Sequence, residues 1–224
     1  MQRNQLIEDL AADLKPVRRP GRTWLSALLW LAIATAYSSI IVIATGPLRD
    51  GGLHDLTEHP WFLLETVTAT AAIVALTLAT LRLSIPSPRH PLLRALPAIC
   101  IALLWASFFI VGLWEPAHPV SMDGKREHCL LQGLFFSFPS MGLLLWYARR
   151  LMPLWPRATG ALAGAAAAAI PAAWMQFACM YAPDHILTHH IGPIVILAGV
   201  GALVGPLALK RPHTVPRSRG ERIH

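Results

Sequence analysis

Residues 24–46 read WLSALLWLAIATAYSSIIVIATG, an uninterrupted run without a single charge. A helix crosses a hydrocarbon core about 30 Å thick with about 20 apolar residues, so this run is a membrane span. Five more runs of similar length follow, at about 60–81, 92–114, 129–148, 158–181 and 186–209. They predict an all-α membrane protein with a six-helix transmembrane domain over residues 24–209. A polar leader (1–23) precedes it and a basic, Pro-rich tail (210–224), expected to be disordered, follows. Composition agrees: 54% of residues are hydrophobic and 14% charged, against about 25% charged in soluble domains. The loops are too short for a separate soluble domain. The first run begins only at Trp24 and outlasts a signal-peptide core of about 7–15 residues, so it is expected to remain as the first span.

The net charge is +7, and its distribution carries the topology. Arg3, Lys15, Arg18, Arg19, Arg22, Arg82, Arg89, Arg94, Arg149, Arg150, Arg157, Lys210, Arg211, Arg217, Arg219 and Arg222 fall in the tails and even loops. Only Arg49, Lys125 and Arg126 fall in the odd loops, together with Asp50, Asp55, Glu58, Glu115, Asp123, Glu127 and Asp184. By the positive-inside rule both termini are cytoplasmic. Basic residues spread along a membrane edge suit anionic lipid, and no direct nucleic-acid contact is expected.

Within the leader, residues 4–15 read as a short amphipathic helix. Leu6, Ile7, Leu10 and Leu14 share one stripe, Asp9 and Asp13 flank it, Pro16 ends it, and Arg18, Arg19 and Arg22 follow at the membrane surface. A helix this short is marginal alone and calls for a partner or the bilayer. In the fifth run, Gly160 and Gly164 stand one turn apart before five alanines. Such small residues admit a close neighbour helix, within the bundle or in a homodimer.

The remaining polar residues gather at the outer face. Cys129 opens the fourth run and Cys179 closes the fifth, at equal depth, while Cys100 reads as a small core residue. Glu65, Gln132, Gln176, Asp184, His185, His189 and His190 share the depth of the two outer cysteines. An ionisable group inside a span is a functional candidate by default, and Glu65 is the foremost. Their ordinary role is hydrogen bonding between helices, worth about 0.6 kcal/mol each. Cys129 and Cys179 are open to being free, bridged, or reactive sensor thiols. Together with His189 they could also bind a metal transiently; no resident cofactor is expected. The fifth loop is expected to be Ala182–His185. No nucleotide-binding, hydrolase or zinc-protease motif is present, so an enzyme is not expected.

Several motifs together resemble the NrsF-type (negative regulator of sigma factor) family. These are Leu6-Ile-x-x-Leu-x-x-Asp-Leu-Lys-Pro-Val-Arg-Arg, Trp61-Phe-Leu-Leu-Glu65, Cys129-Leu, Ala158-Thr-Gly-Ala-Leu-Ala-Gly164, and Cys179…Asp184-His185…His189-His190…Pro193. The resemblance implies a six-helix inner-membrane anti-sigma factor that holds an extracytoplasmic-function sigma factor at the membrane. It also implies that two outer cysteines, here Cys129 and Cys179, matter in the response to heavy metals or oxidants, with an outer histidine at His189 or His190. On this reading the leader residues Leu6, Ile7, Asp9, Leu10, Asp13, Leu14, Arg18 and Arg19 bind the partner. The alternatives are a membrane thiol oxidoreductase, which would use the same cysteines, and a small-solute or metal transporter, which needs polar residues near the midplane.

Overall fold

A computed structural model describes residues 3–12, 22–116 and 119–210. Its long helices are α2 (Thr23–Ala44), α4 (Pro60–Ser84), α5 (Pro91–Gly112), α6 (Cys129–Arg149), α7 (Pro156–Ala178) and α8 (Pro183–Ala208). Two short helices, α1 (Arg3–Ala12) and α3 (Asp55–Glu58), complete the set among the described residues. Each long helix is apolar enough over its length to span a membrane. The chain is a multi-pass membrane protein by the same physical test that its sequence passes. Trp24, Trp61, Trp114 and Trp155 stand exposed at helix ends, where amphipathic rings meet the headgroups. Leu28, Leu29, Ile33, Ile40, Leu103, Leu104 and Leu203 are exposed along the helix bodies, a surface that only hydrocarbon matches.

α7 is the axis of the bundle. Some 83% of its most apolar window is buried, against 22–44% in the other five helices. It touches α2, α4, α6 and α8. Alanine makes this possible: Ala163 and Ala166 to Ala169 are wholly buried, and their small side chains let four neighbours come close. Hydrocarbon supplies no hydrophobic drive between helices, so close packing has to provide the attraction. The crossing with α8 is tightest. A Cβ added at Gly160 would run into the Gly201 carbonyl, and one at Gly164 into the Leu197 carbonyl. The small-residue stripe is therefore used inside the bundle, against α8.

The buried hydroxyls of α4 are satisfied locally. Thr68, Thr77, Thr80 and Ser84 of α4 each donate to the carbonyl four residues back at 2.7–2.8 Å, as hydroxyls in helices commonly do. Trp30 of α2 donates to the Ser140 carbonyl of α6 at 3.0 Å.

Two expectations change. Cys100 is exposed on α5, not buried; only a narrow face of that helix meets the bundle, and Cys100 faces away from it. The break between the fifth and sixth spans lies at Cys179–Ala182, because Pro183 occupies the first turn of α8 with its φ already set for a helix. His185 is consequently helical. Asp13, Leu14, Arg18, Arg19 and the tail from 211 lie outside the described residues. Leu6, Asp9 and Leu10 are placed by the backbone of α1 alone, and Ile7 on the same helix is exposed.

Candidate functional site

The site forms where α6 begins, α7 ends and α8 begins. Cys129 is the first residue of α6. Cys179 leaves α7 in extended conformation (φ −120°, ψ 169°) while its N–H still bonds the Met175 carbonyl at 2.9 Å. The chain then runs extended through Tyr181, whose carbonyl accepts from the Ser121 N–H at 3.0 Å. That turn aims the Cys179 sulfur back at Cys129, and the two Sγ atoms stand 2.8 Å apart as free thiols. Both cysteines are buried.

α8 supplies two imidazoles. Residues Ile186–Ile191 form a π-helical turn. In an α-helix His185 and His190 would lie about 140° apart; the wider i→i+5 turn brings positions five apart toward one side. The His185 Nε2 lies 3.4 Å from the Cys179 sulfur. The two rings meet edge to face with centroids 5.2 Å apart. One ligand atom from each of Cys129, Cys179, His185 and His190 lies within 4.8 Å of all the others. His190 is 2% exposed, and neither of its ring nitrogens has a hydrogen-bond partner among the described residues. Buried polar atoms are nearly always partnered, and here the neighbouring polar group is the Cys179 sulfur. Hydrogen bonding from Cys129 holds the Cys179 thiol well below the usual thiol range, against the opposing effect of burial, with His185 and His190 adding in the same sense. Two thiols and two imidazoles form a donor set that suits Zn2+ and softer divalent ions, and the residues present fit such an ion.

A second layer backs the first. Tyr181 donates to Glu65 at 2.8 Å, and burial first, then the Glu65 charge, pushes its phenol up. Phe62 meets Phe177 and Tyr181 edge-on, at centroid distances of 5.6 and 6.1 Å. Arg49, buried, pairs with Asp55 at 2.5 Å, and its guanidinium lies 6.0 Å from the Phe62 ring centroid. Arg126 spreads its guanidinium over backbone carbonyls of Val42, Gly46, Pro47 and Ala178.

The residues expected from sequence thus sort themselves. Cys129, Cys179, His185 and His190 converge. His189 stacks on His185 with centroids 4.3 Å apart and bonds Thr188 at 2.7 Å; it is not in the converging group. Glu65 is fully buried one layer behind. Among the described residues, Gln176 is buried with both amide atoms unpartnered, and Gln132 keeps an unpartnered Oε1. Asp184 is exposed in the first turn of α8, where a carboxylate suits the helix dipole. Tyr181, Arg49 and Arg126 were not singled out from sequence. A signal for the arginines was there: they are two of the three cations on the side depleted of them.

No curated protein and no solved structure matches the chain. A family model does, described as "Negative regulator of sigma F", and it covers residues 10–210. That match takes in every long helix and all four converging residues, so the chain belongs to the NrsF family of negative regulators of a sigma factor.

Proposed function

We propose that the chain is a multi-pass anti-sigma factor of the inner membrane. It sequesters an extracytoplasmic-function sigma factor through its cytoplasmic N-terminal segment and releases it when a soft metal or an oxidant reaches the outer thiols. The single observation that carries the sensing half is the convergence of Cys129, Cys179, His185 and His190 at one end of the bundle. Cys129, Cys179, His185 and His190 would hold the metal. The ion would supply positive charge to a buried group of sulfurs and imidazoles, drawing all four side chains inward as the remaining thiol proton is lost. Because these residues sit on α6, on α8 and on the turn after α7, closing them together moves the outer ends of three helices relative to one another.

The binding half rests on family membership and on the leader. The exposed Ile7 on α1, with Leu6, Leu10 and Leu14 put in the same stripe by the sequence, suits the groove of a helical partner, and Asp9 and Asp13 suit a basic one. Release then requires two bundle states with different affinity for the sigma factor.

The other readings gain less support. A thiol oxidoreductase must present a sulfur to its substrate, and both cysteines are buried. A transporter needs a polar path near the midplane, where α7 is packed through alanines. A regulatory, non-enzymatic role fits the family.

The test is affinity purification of the full-length protein from membranes after co-expression with extracytoplasmic-function sigma factors from its own genome. One of them is expected to co-purify with the intact chain and to be lost on deletion of residues 1–15. Recovery of the same sigma factor with the truncated chain would overturn the assigned interface.

A further inference from the structure

We infer that Arg126 is the positioning residue that ties the state of the thiol site to α2, the helix that leads directly from the N-terminal segment. The inference rests on the sensor reading above. Its basis is the pattern of contacts around one side chain.

Arg126 stands one turn before Cys129, and its own carbonyl oxygen lies 3.3 Å from the Cys129 sulfur. Its guanidinium reaches the other way. It donates to the carbonyls of Gly46 at 2.8 Å, Pro47 at 2.9 Å and Val42 at 3.2 Å, and to the Thr45 hydroxyl at 3.3 Å. All four belong to the last turn of α2 or the residues just past it. Its Nε donates to the Ala178 carbonyl at 3.1 Å, the last residue of α7 and the neighbour of Cys179.

The last carbonyls of a helix have no intrahelical donor, and the helix dipole favours a cation there. Arg126 meets that need for α2 and α7 at once, with the planar fork that guanidinium alone provides. The loop that carries it lies hard against the end of α7. Gly124 adopts φ +76°, and a Cβ there would stand 3.2 Å from the Arg49 Cβ and 3.4 Å from the Ala178 carbonyl oxygen. Gly46 is similarly close from the other side: a Cβ there would stand 3.2 Å from the Arg126 Cζ.

Both cysteines therefore adjoin the same bolt, Cys129 through the Arg126 carbonyl and Cys179 through Ala178. Drawing the two sulfurs and two imidazoles onto a metal displaces at least one of these attachments. The guanidinium then cannot keep all its acceptors on α2, and the end of α2 is freed from α7. Lys125, the neighbouring cation, is exposed and makes none of these bonds to α2 or α7.

The experiment uses the full-length protein with its sigma factor and a sigma-dependent reporter, with Zn2+ and Cd2+ as probes. Arg126→Gln is expected to raise uninduced transcription about fivefold or more and to shrink induction by metal toward none. Metal affinity of the purified variant stays within about threefold of wild type, because no ligand is removed. Arg126→Lys, which keeps the charge without the fork, falls between the two. Should Arg126→Gln fail to reach the membrane, Gly46→Val is held to the same expectation, since it presses the guanidinium aside from the α2 end. Wild-type basal level and induction in the variant would overturn the inference, as would a loss of metal affinity in proportion to the loss of induction. A wild-type protein that responds to neither ion overturns the sensor reading and this inference with it. A normal wild-type response beside a normal variant response overturns the inference alone.

Discussion

The Sγ atoms of Cys129 and Cys179 stand 2.8 Å apart across fifty residues of sequence. Two structural causes bring them together: α6 starts at Cys129, and the chain turns out of α7 at Cys179 into an extended segment. The pair lies in a buried pocket with two imidazoles, so any reagent that binds one sulfur engages the other. This is the arrangement expected of groups that act jointly.

Replacing either cysteine with serine is expected to lower the affinity of the purified protein for Zn2+ by about 100-fold or more, since losing an outer partner of a ligand alone costs about 10–100-fold. Competition against a chromophoric chelator, in detergent or nanodiscs, measures this. Zn2+ affinity unchanged in both variants would remove the metal from the account.

The π-helical turn makes a sharper prediction. His190→Gln is expected to weaken metal binding by about 10-fold or more, while His189→Gln, which removes a stacked neighbour, leaves it within about threefold. The same chelator competition separates the two. The opposite order would mean that α8 is wound as a plain α-helix through this segment.

The α7–α8 crossing can be tested for stability. Gly164→Leu forces a side chain into the Leu197 carbonyl, so a loss of about 3 kcal/mol, the upper end of usual overpacking costs, is expected. At Gly199 on α8, which is exposed, an added Cβ meets nothing within 4 Å, and Gly199→Leu is expected to be near neutral. Thermal unfolding in detergent, followed by loss of monodisperse protein, distinguishes them.

The leader is expected to act independently of the bundle. Leu10→Asp with Leu14→Asp should abolish sigma-factor binding while leaving bundle stability and metal affinity at wild-type values. A coupled loss of all three would show that the leader is part of the folded core.

The six spans were readable because hydrocarbon demands uniform apolarity over about 20 residues, and loops such as Pro86–Pro91 interrupt it plainly. Depth put Cys129 and Cys179 at one level, but their contact was not readable, because it depends on how the ends of α6 and α7 pack. The role of Gly160 and Gly164 was readable only as a choice between an internal and an external partner; the carbonyls of Leu197 and Gly201 decide it. The histidine selection was not readable. Periodicity assumes 100° per residue, and a π turn over Ile186–Ile191 changes which imidazole turns inward. Nor was Arg126 readable, since its acceptors are backbone carbonyls of α2 and α7, and backbone carbonyls leave no mark in a sequence. Cys100 misled because an apolar helix shows no periodic difference between a face against lipid and a face against protein.

The most direct test of the account is the amount of sigma factor that co-purifies with the full-length protein from membranes with and without Zn2+ or Cd2+, for the wild type and for Cys129→Ser/Cys179→Ser. The account predicts equal capture by both proteins without metal, release from the wild type on addition of metal, and retention by the double variant. Metal-induced release from the double variant equal to that from the wild type would contradict it.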